Sequence, residues 1–501
     1  MMRRMLSLPT RLSVPLVLAL ALGAAGCKKK EDADAPEDGG GASSAEEVAK
    51  KVEEAKQAAK ASTIVELANK DLNNGRYLSA MKRANEALEE NPENADAYAV
   101  LGAAYRRAGD FPKSVENYRK AIEIDESNYG ANINLGINLQ ALGQHEEAAN
   151  LQDKLIKDDP EQIEPRLTQL WSWYALADAD KVVATTDGLF PRMPADDPIL
   201  PLVQAYAAFM RPFEGKGPLC AVEGSEGKTS LQVNLTQAVK YVGGVVKGEF
   251  TQVVINETSE EAIIDKAFAK TIGLEPIGKF KPLGMEDEVD LYLVPEVKFG
   301  DIAITNVPAY SLDLSDYESF VGETPGLVLA RLGLHKLGAI TFDFPNYTLE
   351  LSKDAPAGPS DGAYEVPLYM VSWHLQHAPI VPVRMEGSDH VVNMYLGGLY
   401  QSSLVFTKKS YFKSGKLPRH IDPLDDPARG LKMVYIDGFT VGEADFPGVG
   451  GLVLANEPPD ATINQFLVQT AFEIGGFINL VLMKNWKVTY LLNEGKVHIS
   501  T

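Results

Sequence analysis

The chain has 501 residues, 45% of them hydrophobic and 23% charged, with 18 Phe and 19 Tyr. This composition excludes disorder throughout and suggests roughly two to four domains of about 100–200 residues. Its 48 basic side chains stand against 69 acidic ones, a formal net charge of −21, which argues against a phosphate-backbone partner; no nucleic acid is expected.

The first eleven residues carry Arg3, Arg4 and Arg11 and no acid, and Val14 to Leu22 is an apolar run too short to span a bilayer as a stable helix. Small residues then lead into Cys27. The stretch Ala24-Ala25-Gly26-Cys27 resembles the lipobox of a bacterial lipoprotein signal, with Ala24 where Leu is usual. That resemblance implies a signal peptide over residues 1–26 and acylation of Cys27, with an ordinary signal cut near Ala25 or an uncleaved anchor as alternatives. Lys28 after the cysteine implies, by the same resemblance, a cell-envelope protein anchored in the outer membrane and facing the periplasm. Residues 27–44, charged and then Gly/Ser-rich, read as a flexible tether. With Cys27 acylated, Cys220 has no disulfide partner in the chain.

Residues 45–215 are helical in pattern, and from residue 61 a 34-residue period appears. Equivalent positions carry Leu67, Leu101 and Leu135, then Ala68, Gly102 and Gly136, then Gly75, Gly109 and Gly143, then Ala80, Ser114 and Ala148. This resembles the tetratricopeptide repeat (TPR) in frames 61–94, 95–128 and 129–162, with a degenerate frame at 163–196. By that resemblance Asn69, Asn73, Arg106, Arg107 and Gln140 line an inner face that receives a protein or peptide partner. The alternative for the arginines is pairing with neighbouring Glu side chains.

Residues 216–236 form a Gly/Pro-rich linker, after which short Val-, Ile- and Tyr-rich runs read as all-β. The segment 237–354 holds Gly248, Ile272-Gly273-Leu274, Gly300, Asn306-Val307-Pro308, Gly326-Leu327 and Phe342-Asp343-Phe344-Pro345. Residues 364–501 repeat the order, with Gly398 and Gly438 keeping step. This resembles the retropepsin-like aspartyl proteases, fused as two pseudo-symmetric halves, and implies a double-ψ acid-protease fold. The expected fold class is thus multidomain α plus β, an α-solenoid of TPR helix pairs followed by that domain. Asn256-Glu257-Thr258 and Leu396-Gly397-Gly398 stand where the family has its Asp triplet. Aspartic proteolysis needs two carboxylates sharing one proton, and neither Asn256 nor Leu396 supplies one.

His374 and His377 lack a third metal ligand in sequence reach, and Gly224 to Thr229 only imitates a phosphate loop; no cofactor and no metal are expected. The expected function is a lipid-anchored envelope protein binding peptide or protein partners through the TPR array and a catalytically inactive protease-like domain. The alternative is an active retropepsin-like aspartic endopeptidase whose dyad is misplaced in the alignment.

Overall fold

The computed structural model describes residues 45–235, 237–373, 376–388, 391–398, 403–406, 419–420, 431–454 and 474–500. The signal, Cys27, the tether and His374 lie outside the described residues. Among the described residues no helix is long and apolar enough to cross a membrane. They divide into two compact units, 45–138 and 139–500.

The helices are α1 (Ala45–Asn73), α2 (Tyr77–Glu90), α3 (Ala95–Ala108), α4 (Phe111–Ile124), α5 (Tyr129–Ala141), α6 (His145–Asp158), α7 (Glu164–Ala175), α8 (Ala179–Leu189) and α9 (Leu200–Met210). The second helix of each pair begins at Tyr77, Phe111, His145 and Ala179, each 34 residues after the last. The turn before it holds Gly75, Gly109 and Gly143 at φ 73°, 83° and 75°. Left-handed backbone is cheap only for glycine, which is why these positions recur. In the fourth pair Ala177 occupies the same place and still adopts φ 52°. Asn94 and Asp110 cap α3 and α4 by accepting from the backbone N–H groups of Ala97 and Lys113.

Within residues 45–138 the small residues of the period let helices approach closely. A Cβ on Gly102 would lie 2.8 Å from the Tyr118 ring. The Gly102 carbonyl accepts from Ser114 Oγ at 2.5 Å, and that hydroxyl accepts from Asn138 Nδ2 at 2.6 Å. Ala61, Ala68, Ala80, Ala84 and Ala87 pack with Val65, Val100 and Leu101 in one hydrophobic cluster.

In residues 139–500 helices α7–α9 share one hydrophobic core with a β-rich region. Phe209 of α9 packs edge-on against Phe280 at 5.3 Å between ring centroids. The region runs through β1 (Ala221–Glu223), β2 (Glu226–Asn234), β3 (Val239–Val246), β4 (Glu249–Asn256), β5 (Ala262–Asp265), α10 (Lys266–Thr271), β6 (Gly278–Phe280), β7 (Val289–Phe299) and β8 (Ile302–Leu312). Next come α11 (Glu318–Val321), β9 (Leu327–Ala330), α12 (Arg331–Leu334), β10 (Ala339–Asp343), β11 (Thr348–Ser352), β12 (Tyr364–Pro367), β13 (Tyr369–Trp373), β14 (Gln376–Met385), β15 (Val391–Gly398), β16 (Leu404–Phe406) and β17 (Arg419–His420). The last elements are β18 (Leu431–Val441), β19 (Ala444–Leu454), β20 (Gly476–Asn479), α13 (Leu480–Met483), β21 (Lys487–Leu491) and β22 (Lys496–Ser500).

The strand registers show an internal duplication. The β7–β8 hairpin pairs Leu291 with Tyr310, and the β18–β19 hairpin pairs Met433 with Leu452, the same pairing moved by 142 residues. Their turn glycines, Gly300 and Gly442, have φ 59° and 60°. Parallel pairing of β5 with β8 (Ala262 with Ala309) recurs, at the same offset, as β16 with β19 (Leu404 with Gly451). Gly442, not Gly438, is therefore the counterpart of Gly300. The two sets meet in the strand order β2-β11-β10-β21-β22-β12, where β10 and β21 run antiparallel and Thr341 faces Thr489.

Candidate functional site

Parallel pairing of β4 with β9 places Asn256 beside Ala330, at the start of a tight turn. The Asn256 Oδ1 accepts from Thr258 N at 3.1 Å, Thr258 Oγ1 at 2.8 Å and Ser259 N at 3.2 Å, while its Nδ2 donates to Ser259 Oγ at 2.8 Å. The amide is consumed in shaping its own loop, a role asparagine fills well.

In the second set β15 runs parallel to β20 with Leu396 opposite Ile478 and Gly398 opposite Asn479, so Gly397, at φ 114°, is an extra residue in the ladder. Leu396 thus takes the place of Ile255, which pairs with Leu329, and Gly398 takes the place of Asn256. This corrects the alignment that put Leu396 opposite Asn256. The bulge shifts the register by one residue, and Leu396 is a fully buried core side chain.

Buried carboxylates do follow Asn256, and Glu257 and Glu260 are each matched by a cation. Glu257 forms a buried ion pair with Lys240, whose Nζ also lies 5.2 Å from the centre of the Phe342 ring. Tyr395 and Tyr490 face this charge; burial first, then the Glu257 carboxylate, raises both phenol pKa values. Glu260 binds Arg331 at 3.2 Å and also His377. Burial alone would raise the Glu260 pKa, but His377 and Arg331 outweigh it and bring it to about 2. Arg331, the first residue of α12, is 1% exposed and reaches His145 Nε2 through Nη2 at 3.0 Å. Its backbone N–H is held by the Ser259 carbonyl at 2.9 Å. Beside this group Glu261 accepts from Tyr174 Oη at 2.5 Å, and burial lifts its carboxyl pKa to about 7.

The inner-face candidates of the helical array differ in their surroundings. Asn69 and Arg107 are half-buried and Asn73 is exposed. Arg106 is buried and donates through Nη1 to Asn134 Oδ1 on α5 at 3.3 Å. Gln140 donates through Nε2 to the Thr168 carbonyl at 2.7 Å and to Ser172 Oγ at 2.8 Å. Arg106 and Gln140, 34 residues apart, therefore make the same kind of contact, each to a residue 28 further on.

His377 belongs to the Glu260 group, and among the described residues no cluster of three or more His, Cys, Asp or Glu could hold a metal ion. The Gly224-to-Thr229 segment runs into β2, where Lys228 pairs with Glu350 of β11. It is sheet and not a phosphate loop. Cys220 is a fully buried free thiol, its pKa pushed up to about 12 by burial.

The Glu260–Arg331–His145 group was not foreseen from the sequence. Three signals were present: an arginine inside the apolar run Leu327 to Leu334, two consecutive acids before Ala262-Ile263-Ile264, and a histidine at the period position that holds Tyr77 and Phe111 elsewhere.

Comparison with known proteins bears on the helical array. The tetratricopeptide repeat family matches residues 95–128. Heat shock protein STI1 of Saccharomyces cerevisiae is 39% identical over 56 residues, which is 11% of this chain and 10% of that protein. The chain thus spans about a tenth of the length of this curated relative. Among solved structures, the first TPR domain of Spaghetti (RPAP3), bound to an HSP90 peptide, is 23% identical, with 24% of this chain and 98% of that one covered at a TM-score of 0.24. A tetratricopeptide repeat protein from Parabacteroides merdae is 21% identical, with 30% and 60% covered at a TM-score of 0.27. The chain therefore carries tetratricopeptide repeats, in an N-terminal helical array that leads into a β-rich region.

Proposed function

We propose that this is a lipid-anchored envelope protein that holds protein or peptide partners through its repeat array and through a duplicated, retropepsin-like β domain that does not cut them. The array supplies the binding half, since tetratricopeptide arrays present a face to protein or peptide segments. The lipid anchor on Cys27, and an outer-membrane position facing the periplasm, rest on the Ala24-to-Cys27 stretch alone.

The observation that carries the non-catalytic reading is the pair of positions at the two parallel-strand crossings, Asn256 and Gly398, neither of which bears a carboxylate. Two of the neighbouring acids are already committed to cations. Glu257 is neutralised by Lys240, and Glu260 by Arg331 and His377. A dyad needs two carboxyl groups close enough to share a proton, and each of these two carboxylates is bonded instead to its own cation.

The test uses the full chain and a mixed peptide library at pH 4, 5.5 and 7. Retention of peptides with unchanged termini supports a binding module. New termini that accumulate with time, and vanish in E257Q or E260Q protein of unchanged fold, establish the endopeptidase alternative instead.

A further inference from the structure

We propose that His145, Arg331 and His335 form an acid-released latch between α6 and the β-rich region. His145 opens α6, while Arg331 opens α12 and His335 caps its other end, and the three side chains are buried together: 4% exposed for His145 and 1% for each of the others. Arg331 can only donate, so the 3.0 Å contact makes His145 Nε2 the acceptor and leaves the ring proton on Nδ1. That Nδ1 is buried with no hydrogen-bond partner, as are His335 Nδ1 and Arg331 Nε. The two imidazoles meet edge to face, 5.0 Å between centroids.

A proton on His145 Nε2 would replace this acceptor with a donor pointing at a donor, and set two positive charges against each other. A proton on His335 would add a third.

The surrounding groups relieve only part of this charge, because Glu260 favours a proton on His145 less than Arg331 and His377 oppose it. Glu260 is already shared between Arg331 and His377. Lys336, next to His335, is a further cation. Glu261 is turned to Tyr174, and Tyr206, which also senses Glu260 and Arg331, is a neutral phenol. Burial first, and then the neighbouring cations, hold both His145 and His335 well below the ordinary 6.5. A histidine whose folded pKa is depressed contributes full stability above about 6.5 and loses it as pH falls below that value. The latch is closed at neutral pH and opens on acidification, freeing the second helix of the third repeat. This inference does not depend on what the array or the β region binds.

The experiment is amide hydrogen exchange on the full-length protein at pH 7.5 and 5.5, corrected for intrinsic exchange rates. Each histidine that must protonate on opening raises the opening equilibrium about tenfold across this interval, so peptides covering α6 gain about a hundredfold from His145 and His335 together. Peptides of α3, which holds no histidine, gain less than about threefold. In H145Q the amide oxygen still accepts from Arg331 but does not titrate, and the α6 gain falls to about tenfold; H335F has the same effect. Protection of α6 that changes less than about twofold with pH overturns the latch. So does a uniform loss over the whole chain, or a loss in H145Q equal to that of the wild type. Should both variants fail to fold, the wild type alone decides: an opening that takes up at least one proton between pH 6.5 and 5.5 supports the latch, and one that takes up none refutes it.

Discussion

Thr341 Oγ1 and Thr489 Oγ1 lie 2.8 Å apart on facing strands β10 and β21, and each is the other's counterpart in the duplicated β region. Its neighbours obey the same exchange: Ile340 pairs with Tyr490 and Phe342 with Val488, so a pseudo-twofold axis passes between the two threonines. The bond joins the two repeats at the one place where their hairpins β10–β11 and β21–β22 touch in the strand order. T341V leaves Thr489 with a stranded hydroxyl and lowers stability by about 1 kcal/mol; T489V does the same. The double variant loses less than the sum, with a coupling of about 0.5–1 kcal/mol in a urea-denaturation cycle. Strict additivity would show that the hydroxyls do not interact.

Arg106 and Arg107, adjacent in sequence, separate in consequence. Arg106 is buried against Asn134, so R106L strands that amide and lowers stability by about 1–2 kcal/mol. Arg107 is half-buried, with its pKa lowered from the ordinary value first by burial and then slightly offset by Tyr118. R107E changes stability by less than about 0.5 kcal/mol and, on the binding function proposed, weakens capture of acidic peptides about tenfold or more. Equal capture by wild type and R107E in a titration would remove Arg107 from the binding face.

The array was legible in the sequence because its spacing is chemical: Gly75, Gly109 and Gly143 are forced by left-handed turns, and Gly102 by the Tyr118 ring. The β duplication was legible in order but not in register. One extra residue, Gly397, moves Leu396 into the core position of Ile255, and a period-two strand gives no warning of a single insertion. The Arg331 group was hidden for another reason. Its members, Glu260, Arg331, His377 and His145, are brought together by pairing and packing over as many as 186 positions, a separation that local pattern does not reach.

The turn period yields a paired prediction. Gly109, at φ 83°, and Ala177, at φ 52°, fill equivalent places in the second and fourth helix pairs. G109A forces a Cβ into left-handed backbone and costs about 1 kcal/mol or more. A177G removes that strain but also a buried methyl group, so it leaves stability unchanged or raises it by up to about 1 kcal/mol. Native-state hydrogen exchange of α4 in the first variant and of α8 in the second measures the two changes locally. Loss of stability by both variants would mean that the fourth turn has adapted to alanine.

Glu261 gives a pH dependence opposite in sign to that of the histidines. Burial raises its carboxyl from 4.5 to about 7, while the Tyr174 hydroxyl partly offsets the shift. A carboxyl with a raised folded pKa contributes full stability below about 4.5 and loses it as pH rises to 7, because the unfolded chain ionises first. E261Q stays neutral and keeps one acceptor oxygen for Tyr174, so it does not suffer this loss. Its stability relative to wild type rises between pH 4.5 and 7, by on the order of 2 kcal/mol after allowance for partial solvent access, and is level above that. The histidines are common to both proteins and cancel in the difference. Urea midpoints at pH 4.5, 6 and 7.5 measure it; a difference that stays constant across the three would show that Glu261 is ionised in the folded protein throughout.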